Sequence, residues 1–248
     1  MNNHTSVADA VALVTGANRG IGAAFVTGLL EAGAQRVYAA ARDPQTLAAF
    51  VQSDVRVIPI ALDITDDVSV QEAAARLVDV DLVVNNAGVA LGARLIAAAD
   101  LSAARQEMEV NYFGLLRMCR AFAPVLARNG GGTLINVLSI LARVASPASG
   151  SYSASKASAL SLTQAVRAEL QAQGTRVIGV LPGYVDTDMA ERITAPKIQP
   201  IEVVRATLDA LQTDQDEVYP GEAATQIAAL LLQNPKAVER QFAQSVAA

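Results

Sequence analysis

Residues 11–22 read Val11-Ala12-Leu13-Val14-Thr15-Gly16-Ala17-Asn18-Arg19-Gly20-Ile21-Gly22. The first five form a short apolar and β-branched run that suits a buried strand. Glycines follow, and behind them an apolar pattern predicts a helix over about Ile21 to Ala32 that stops at Gly33. Strand, glycine turn and helix in that order open a βα unit. Glycines let the chain turn tightly and let a pyrophosphate approach the backbone, while the helix N-terminus offers free N–H groups and a positive dipole end. The spacing is G-x-x-x-G-x-G, which differs from the usual G-x-G-x-x-G, and a glycine string alone is also an ordinary turn.

The same alternation continues along the chain. β-rich runs at Arg36–Ala41, Val55–Leu62, Asp81–Val84, Thr133–Val137, Arg176–Leu181 and Glu217–Tyr219 alternate with helical patterns. Those patterns lie at about Leu101–Arg128, Ser151–Ala172, Glu202–Leu211 and from about Ala223 onward. This order predicts a doubly wound α/β fold of Rossmann type, with a parallel sheet of about seven strands and helices on both faces. Pro59 within its run predicts an edge strand. Residues 1–248 are expected to form one domain, with 1–9 as a loose tail. The irregular stretch 184–200 follows the sixth strand at the end where open α/β sheets bind ligands, which makes it a candidate substrate lid.

Composition narrows the chemistry. The chain is 52% hydrophobic with only 4% aromatic residues, so the core is aliphatic and closely packed. The net charge is −5 and no basic run stands out, so nucleic acid is not an expected partner. No segment approaches the roughly 20 apolar residues of a membrane span, and the N-terminus lacks the pattern of a secretory signal. A soluble cytoplasmic protein is the expectation. Cys119 is the only cysteine and sits among apolar helical residues, which suits a buried structural thiol in a reducing compartment. The only histidine is His4, in the expected tail. No histidine base and no metal site is therefore expected.

Four further motifs carry chemistry. In Tyr152-Ser153-Ala154-Ser155-Lys156, the tyrosine and lysine stand four apart on one helix face. A free phenol has a pKa of about 10; a positive charge about 4 Å away lowers it by up to about three units. The pair can then serve as a proton donor and acceptor. Ser139 follows the fifth strand, where a hydroxyl can reach a substrate oxygen; with no histidine base it is not a nucleophile. Asn85-Asn86-Ala87-Gly88 follows the fourth strand, where small and amide residues tie loops together or simply make a polar turn. Asn111 is out of place inside a helix, either solvated or held in a network.

Together these motifs resemble the short-chain dehydrogenase/reductase family in its single-domain, NADP(H)-dependent branch, over about Val11 to Thr187. The resemblance implies the following roles. Tyr152 transfers the proton, Ser139 steadies the substrate oxygen, and Lys156 binds the nicotinamide ribose and lowers the tyrosine pKa. Asn111 holds a water that links Lys156 to solvent. The cofactor would lie against Gly16, Asn18, Arg19, Gly20, Ile21 and Gly22, then Arg42, Asp63 and Ile64, then Asn86, Ala87 and Gly88. It would continue past Tyr152 and Lys156 to Pro182, Gly183, Val185 and Thr187. Ala90, Leu91, Leu141, Ala145, Tyr184 and Met189 would line the substrate, and their apolar character suggests a hydrophobic ketone, aldehyde or secondary alcohol. An apolar helix after the seventh strand replaces the short glycine-rich tail of many members.

Three readings of function are weighed. The first is hydride transfer between NADP(H) and a carbonyl or alcohol. The second is a nucleotide-sugar epimerase, which also uses Tyr-x-x-x-Lys; such enzymes usually add a substrate domain, and about 60 residues after Thr187 leave little room for one. The third is an idle dinucleotide-binding module, which need not keep Asn111, Ser139, Tyr152 and Lys156. NADP(H) is expected over NAD(H). The position that would hold a ribose-binding carboxylate is Ala41, Arg42 follows it, and Arg19 sits in the glycine loop. Asp43 precedes Pro44 and reads as a helix N-cap. The helix over Leu101–Arg128 is apolar on more than one face (Met108, Val110, Phe113, Leu116, Cys119, Phe122), so a homodimer or homotetramer is expected.

Overall fold

The run Val11–Thr15 is buried along its whole length, as a strand covered on both faces should be. The structure is a computed structural model and describes residues 6–244. Its first half runs β1 (Val11–Thr15), α1 (Gly20–Glu31), β2 (Arg36–Ala41), α2 (Ala48–Ser53), β3 (Val57–Ala61), α3 (Asp67–Arg76) and β4 (Leu82–Asn85). The second half begins α4 (Ser102–Met108), α5 (Leu115–Arg128), β5 (Gly132–Val137), α6 (Gly150–Leu170) and β6 (Thr175–Val180). It ends α7 (Pro200–Leu211), β7 (Glu217–Val218), α8 (Glu222–Gln233) and α9 (Pro235–Ala243).

The strands form one seven-stranded sheet in the order β3-β2-β1-β4-β5-β6-β7. Every pairing is parallel. Successive side chains of β1 go to opposite layers. Val11 and Leu13 enter the layer under α3, α5 and α6, while Ala12 and Val14 enter the layer under α1 and α7. The chain leaves β1 toward β2 on one side and returns at β4 on the other, so the crevice between the ends of β1 and β4 is the topological switch point. β3 is indeed an edge strand, and Pro59 there points to solvent.

Three expectations need correction. The single helix over 101–128 is interrupted by a π-helical segment, Glu109–Gly114, which separates α4 from α5. Asn111, Tyr112, Phe113 and Gly114 are all weak helix formers, so the regular i+4 pattern yields there. A single C-terminal helix from Ala223 is in fact two. Asn234 breaks it and its side chain accepts a hydrogen bond from Ala237 N–H at 3.0 Å, with Pro235 opening α9. The tail is not loose where it is described, because Val7 is buried and Asp9 N–H donates to Gly33 O at 3.0 Å; residues 1–5, His4 included, lie outside the described residues. The stretch 184–199 is irregular as expected, apart from a short turn at Asp188–Ala190, and is tied across itself as a strap. Asp186 N–H donates to Ile198 O at 2.9 Å, Ile198 N–H donates to Tyr184 O at 3.0 Å, and α7 already starts at Pro200.

Candidate active site

The glycine loop is shaped by close approach. A Cβ on Gly22 would stand 2.2 Å from the carbonyl oxygen of Gly16 and 2.5 Å from Asn86 Nδ2, so the turn into α1 accepts glycine alone. Gly16 and Gly20 have φ of +62° and +55°. Asn18 and Arg19 are exposed, Ile21 is half-buried, and no side chain caps the first N–H groups of α1. Thr187 lies against this loop, with its Cγ2 3.1 Å from where a Gly20 Cβ would be. Arg19 Nη1 pairs with Asp188 Oδ2 at 3.0 Å, so in this structure it reaches toward the strap and not toward Arg42.

At the end of β2, Ala41 is buried and Arg42 is exposed. Burial works to raise the Asp63 carboxyl, but hydrogen bonds from Thr65 and the charge of Arg42 outweigh it and leave the group below the ordinary range. Arg42 and Asp63 therefore share one corner. Asp43 Oδ1 accepts from Gln45 N–H at 2.9 Å and heads the short helix Pro44–Leu47, as the N-cap reading requires. Ile64 is buried against Gly114, where a Cβ would come within 2.7 Å of Ile64 Cδ1.

Thr15 closes the switch point. Its hydroxyl donates to Val84 O at 3.3 Å and accepts from both Asn86 N–H and Ala87 N–H at 3.0 Å. Asn86 Nδ2 donates back to Thr15 O at 2.9 Å and Gly16 O at 3.2 Å. Beyond Gly88, Asn111 holds Val89 from both sides: Oδ1 accepts from Val89 N–H at 2.9 Å and Nδ2 donates to Val89 O at 2.8 Å. Nδ2 also donates to Ser155 Oγ at 2.9 Å, so Asn111 is buried in a network rather than solvated.

The catalytic candidates converge from β5 and α6. Lys156 is buried and its Nζ donates to Val137 O at 3.0 Å; it stands 5.8 Å from the centre of the Tyr152 ring. Burial pushes its ammonium down to about 8. Burial also pushes the Tyr152 phenol up to about 12, against a hydrogen bond with Ser139 and with a further push from the Glu107 carboxylate. In both groups the loss of solvent is the largest influence. Ser139 Oγ accepts from Leu141 N–H at 3.2 Å. Pro182 O accepts from Ile140 N–H at 2.9 Å, Val185 is buried, and Gly183 has open space beside it. Of the expected lining residues, Ala90 and Leu141 are half-buried; Leu91, Ala145, Tyr184 and Met189 are exposed.

Several residues of the site were not singled out in the sequence. Ser155 partners Asn111, and Thr15 binds three backbone groups. Asn136 links Asn85 to Thr163 across β4, β5 and α6, with bonds of 2.9 and 3.0 Å. Glu107, an acidic residue, is fully buried. The signal for Glu107 was its place one helical turn before Asn111.

Comparisons with known proteins agree with one another. The family model of the short chain dehydrogenase matches residues 10–198. The cis-4-hydroxycyclohexanecarboxylate dehydrogenase of Sinomonas cyclohexanicum is 34% identical over 229 residues, covering 90% of this chain and 89% of that protein. The 1-deoxy-11-beta-hydroxypentalenate dehydrogenase of Streptomyces exfoliatus is 36% identical over 197 residues, covering 75% of this chain and 71% of that protein. A short chain dehydrogenase from Burkholderia cenocepacia J2315, solved in complex with NADP, superposes with a TM-score of 0.91 at 48% identity, covering 96% of this chain and 99% of that one.

The buried lysine has a thermodynamic consequence. Its folded pKa of about 8 lies below the ordinary 10.5, so the unfolded chain binds the extra proton between those values. Stability from this group therefore rises with pH across that window, and its full cost applies below about 8. A fall of that size corresponds to about 3 kcal/mol, offset by about 1 kcal/mol for the bond to Val137. Lys156→Met is expected to be more stable than wild type in urea at pH 7, with the gap closing toward pH 10.5. A gap that does not change with pH would overturn this.

Proposed function

Since the chain belongs to the short-chain dehydrogenase family, we propose that it is an NADP(H)-dependent oxidoreductase acting on a hydrophobic ketone, aldehyde or secondary alcohol. The observation that carries the proposal is the convergence of α6 on the end of β5: Lys156 Nζ donates to Val137 O at 3.0 Å, two residues before Ser139, and stands 5.8 Å from the centre of the Tyr152 ring. The residues present fit a dinucleotide. The first turn of α1 has no side-chain cap, the glycine loop is as tight as a bound pyrophosphate requires, and Gly183 leaves space open. When bound, the cofactor supplies or accepts the hydride.

In the reductive direction, the Ser139 hydroxyl donates a hydrogen bond to the substrate carbonyl oxygen. The Tyr152 phenol gives its proton to that oxygen as negative charge develops there. A phenol held at about 12 is protonated at neutral pH, which is the form a proton donor needs. The Lys156 ammonium steadies the phenolate and returns a proton to it. A small cavity of about 10 Å³ is lined by Asn111, Lys156 and Val137 among others, close to the room one water takes. It supports the role given to Asn111 as holder of a relay water. Alcohol oxidation runs the same steps in reverse. Exposed Leu91, Tyr184 and Met189 support an apolar substrate, and the strap 184–199 would cover it. The buried, unpaired Cys119 supports a cytoplasmic location.

NADP(H) is proposed over NAD(H) because Ala41 leaves no carboxylate at the end of β2, Asp43 is committed to its N-cap, and Arg42 is free of ion pairs among the described residues. Arg19 would exchange Asp188 for the 2′-phosphate. A homodimer or homotetramer is proposed through α5 and α6. A groove of about 530 Å³ runs between them, lined by Tyr112, Leu116, Leu162 and Val166 among others, and Phe113 is exposed nearby.

Three outcomes are expected. NADPH should be consumed with a panel of apolar ketones and aldehydes, and Tyr152→Phe should lower that rate about 10²–10⁴-fold with NADPH binding close to normal. Sugar-nucleotide isomerisation without net cofactor turnover, or cofactor binding with no turnover at all, would replace the reading. The kcat/KM should favour NADPH, and Ala41→Asp with Arg42→Ala should shift it toward NADH; a wild-type preference for NADH would sink the cofactor assignment. Light scattering at micromolar concentration should give a dimer or tetramer, and a monomer would remove the interface.

A further inference from the structure

Glu107 is the one buried acid that the proposed chemistry does not use among the described residues. It lies on α4, fully buried, with no ion pair among the described residues. Oε1 accepts from Leu91 N–H at 2.7 Å. Oε2 is buried and has no protein partner among the described residues. A buried carboxylate with one oxygen unpaired is costly, and an apolar residue in that place would pack without the cost. Something other than packing must therefore keep it.

Its place on the helix supplies the reason. Asn111 stands four residues later and holds Val89 by both backbone groups. Glu107 holds Leu91. Glu107 lies near the end of α4 and Asn111 in the π-helical segment that continues it, and the two side chains accept from backbone amides two residues apart in the loop. The loop has no strand or helix pairing of its own between 86 and 94. Leu91 is exposed at the far end of that loop and is one of the residues proposed to line the substrate, and the Glu107 carboxyl adds to the rise of the Tyr152 phenol.

We propose that Glu107 is a positioning residue that fixes the substrate-facing loop Ala90–Leu91 against the Tyr152 side of the site by binding the Leu91 amide. The proposal rests on the reading of this site as a carbonyl–alcohol oxidoreductase centre. Asn111 and Glu107 divide the work: the first sets the loop where it leaves the cofactor side, the second where it enters the substrate side.

Two variants test this in the full chain saturated with NADPH. Glu107→Gln keeps an acceptor for Leu91 N–H and removes the charge; Glu107→Met removes the acceptor at similar volume. Hydrogen exchange at the Leu91 amide should be slow in wild type and in Glu107→Gln, and about tenfold or more faster in Glu107→Met, with the β1 and β4 amides unchanged. For the apolar carbonyl that wild type reduces best, Glu107→Met should raise KM about tenfold with NADPH affinity unaltered, and Glu107→Gln should restore KM to within about threefold of wild type. Unchanged exchange at Leu91 in Glu107→Met would overturn the proposal, as would loss of protection in Glu107→Gln. Should Glu107→Met not fold, the Leu91 exchange of Glu107→Gln decides alone. Exchange is read without turnover, so a wild type that reduces no carbonyl refutes the functional reading and leaves the test of Glu107 intact.

Discussion

The backbone from Asn86 to Leu91 has to be held without a ladder, and the rest of the site depends on how that is done. This stretch crosses the mouth of the switch-point crevice and belongs to no strand or helix. Buried backbone groups still need partners. Side chains supply them in sequence. Thr15 takes the amides of Asn86 and Ala87, Asn111 takes both groups of Val89, and Glu107 takes the amide of Leu91. The first clamp comes from the end of β1 and the other two from the helix that leads to the second half of the sheet. One short loop therefore registers the glycine turn against the candidate proton donor. Placement by strand ends and helix faces is more rigid than placement by loops alone.

The second constraint is electrostatic. Lys156 and Tyr152 are both drawn out of water, and burial moves both toward their neutral forms. A lysine near 8 and a phenol near 12 are each poised on the protonated side at neutral pH. That is a donor pair at rest. Burial holds the phenol in that form, and Glu107 adds to the same shift. The arrangement costs stability, as the unpaired buried lysine shows, and the cost is concentrated where chemistry is proposed.

Much of this was legible in the sequence, and the reasons differ by element. The succession of strands along the chain and the glycine turn follow from apolar runs punctuated by glycine, and Pro59 marks an edge because proline cannot donate to a ladder. The Asp43 cap was legible because Asp-Pro has one favoured use there. The π-helical segment was not, since Asn111 is poor in any helix and nothing in its neighbours specifies an extra residue in the turn. The Asn234 break was hidden by the apolar run before it, although Asn-Pro is a cap signal in its own right. The pairing of Arg19 with Asp188 was not legible either, because its long side chain meets the strap only once the chain has folded. The pairing of distant segments decides such contacts, and local pattern cannot.

Thr15 and Glu107 escaped notice for a common reason. Each is an ordinary residue in its own element: a β-branched residue ending a strand, a charged residue in a helix. Their roles come from what the fold sets beside them. Thr15 matters because β4 ends next to β1, so that Val84, Asn86 and Ala87 fall within reach of one hydroxyl. Glu107 matters because α4 and the π-helical segment that follows it both face the loop, so that Glu107 and Asn111 reach amides two residues apart. Motif reading finds residues whose chemistry is unusual where they stand, such as tyrosine four before lysine. It passes over residues whose chemistry is common and whose neighbours are unusual. In this chain the first kind is proposed to move the proton, and the second kind holds the geometry in which it could move.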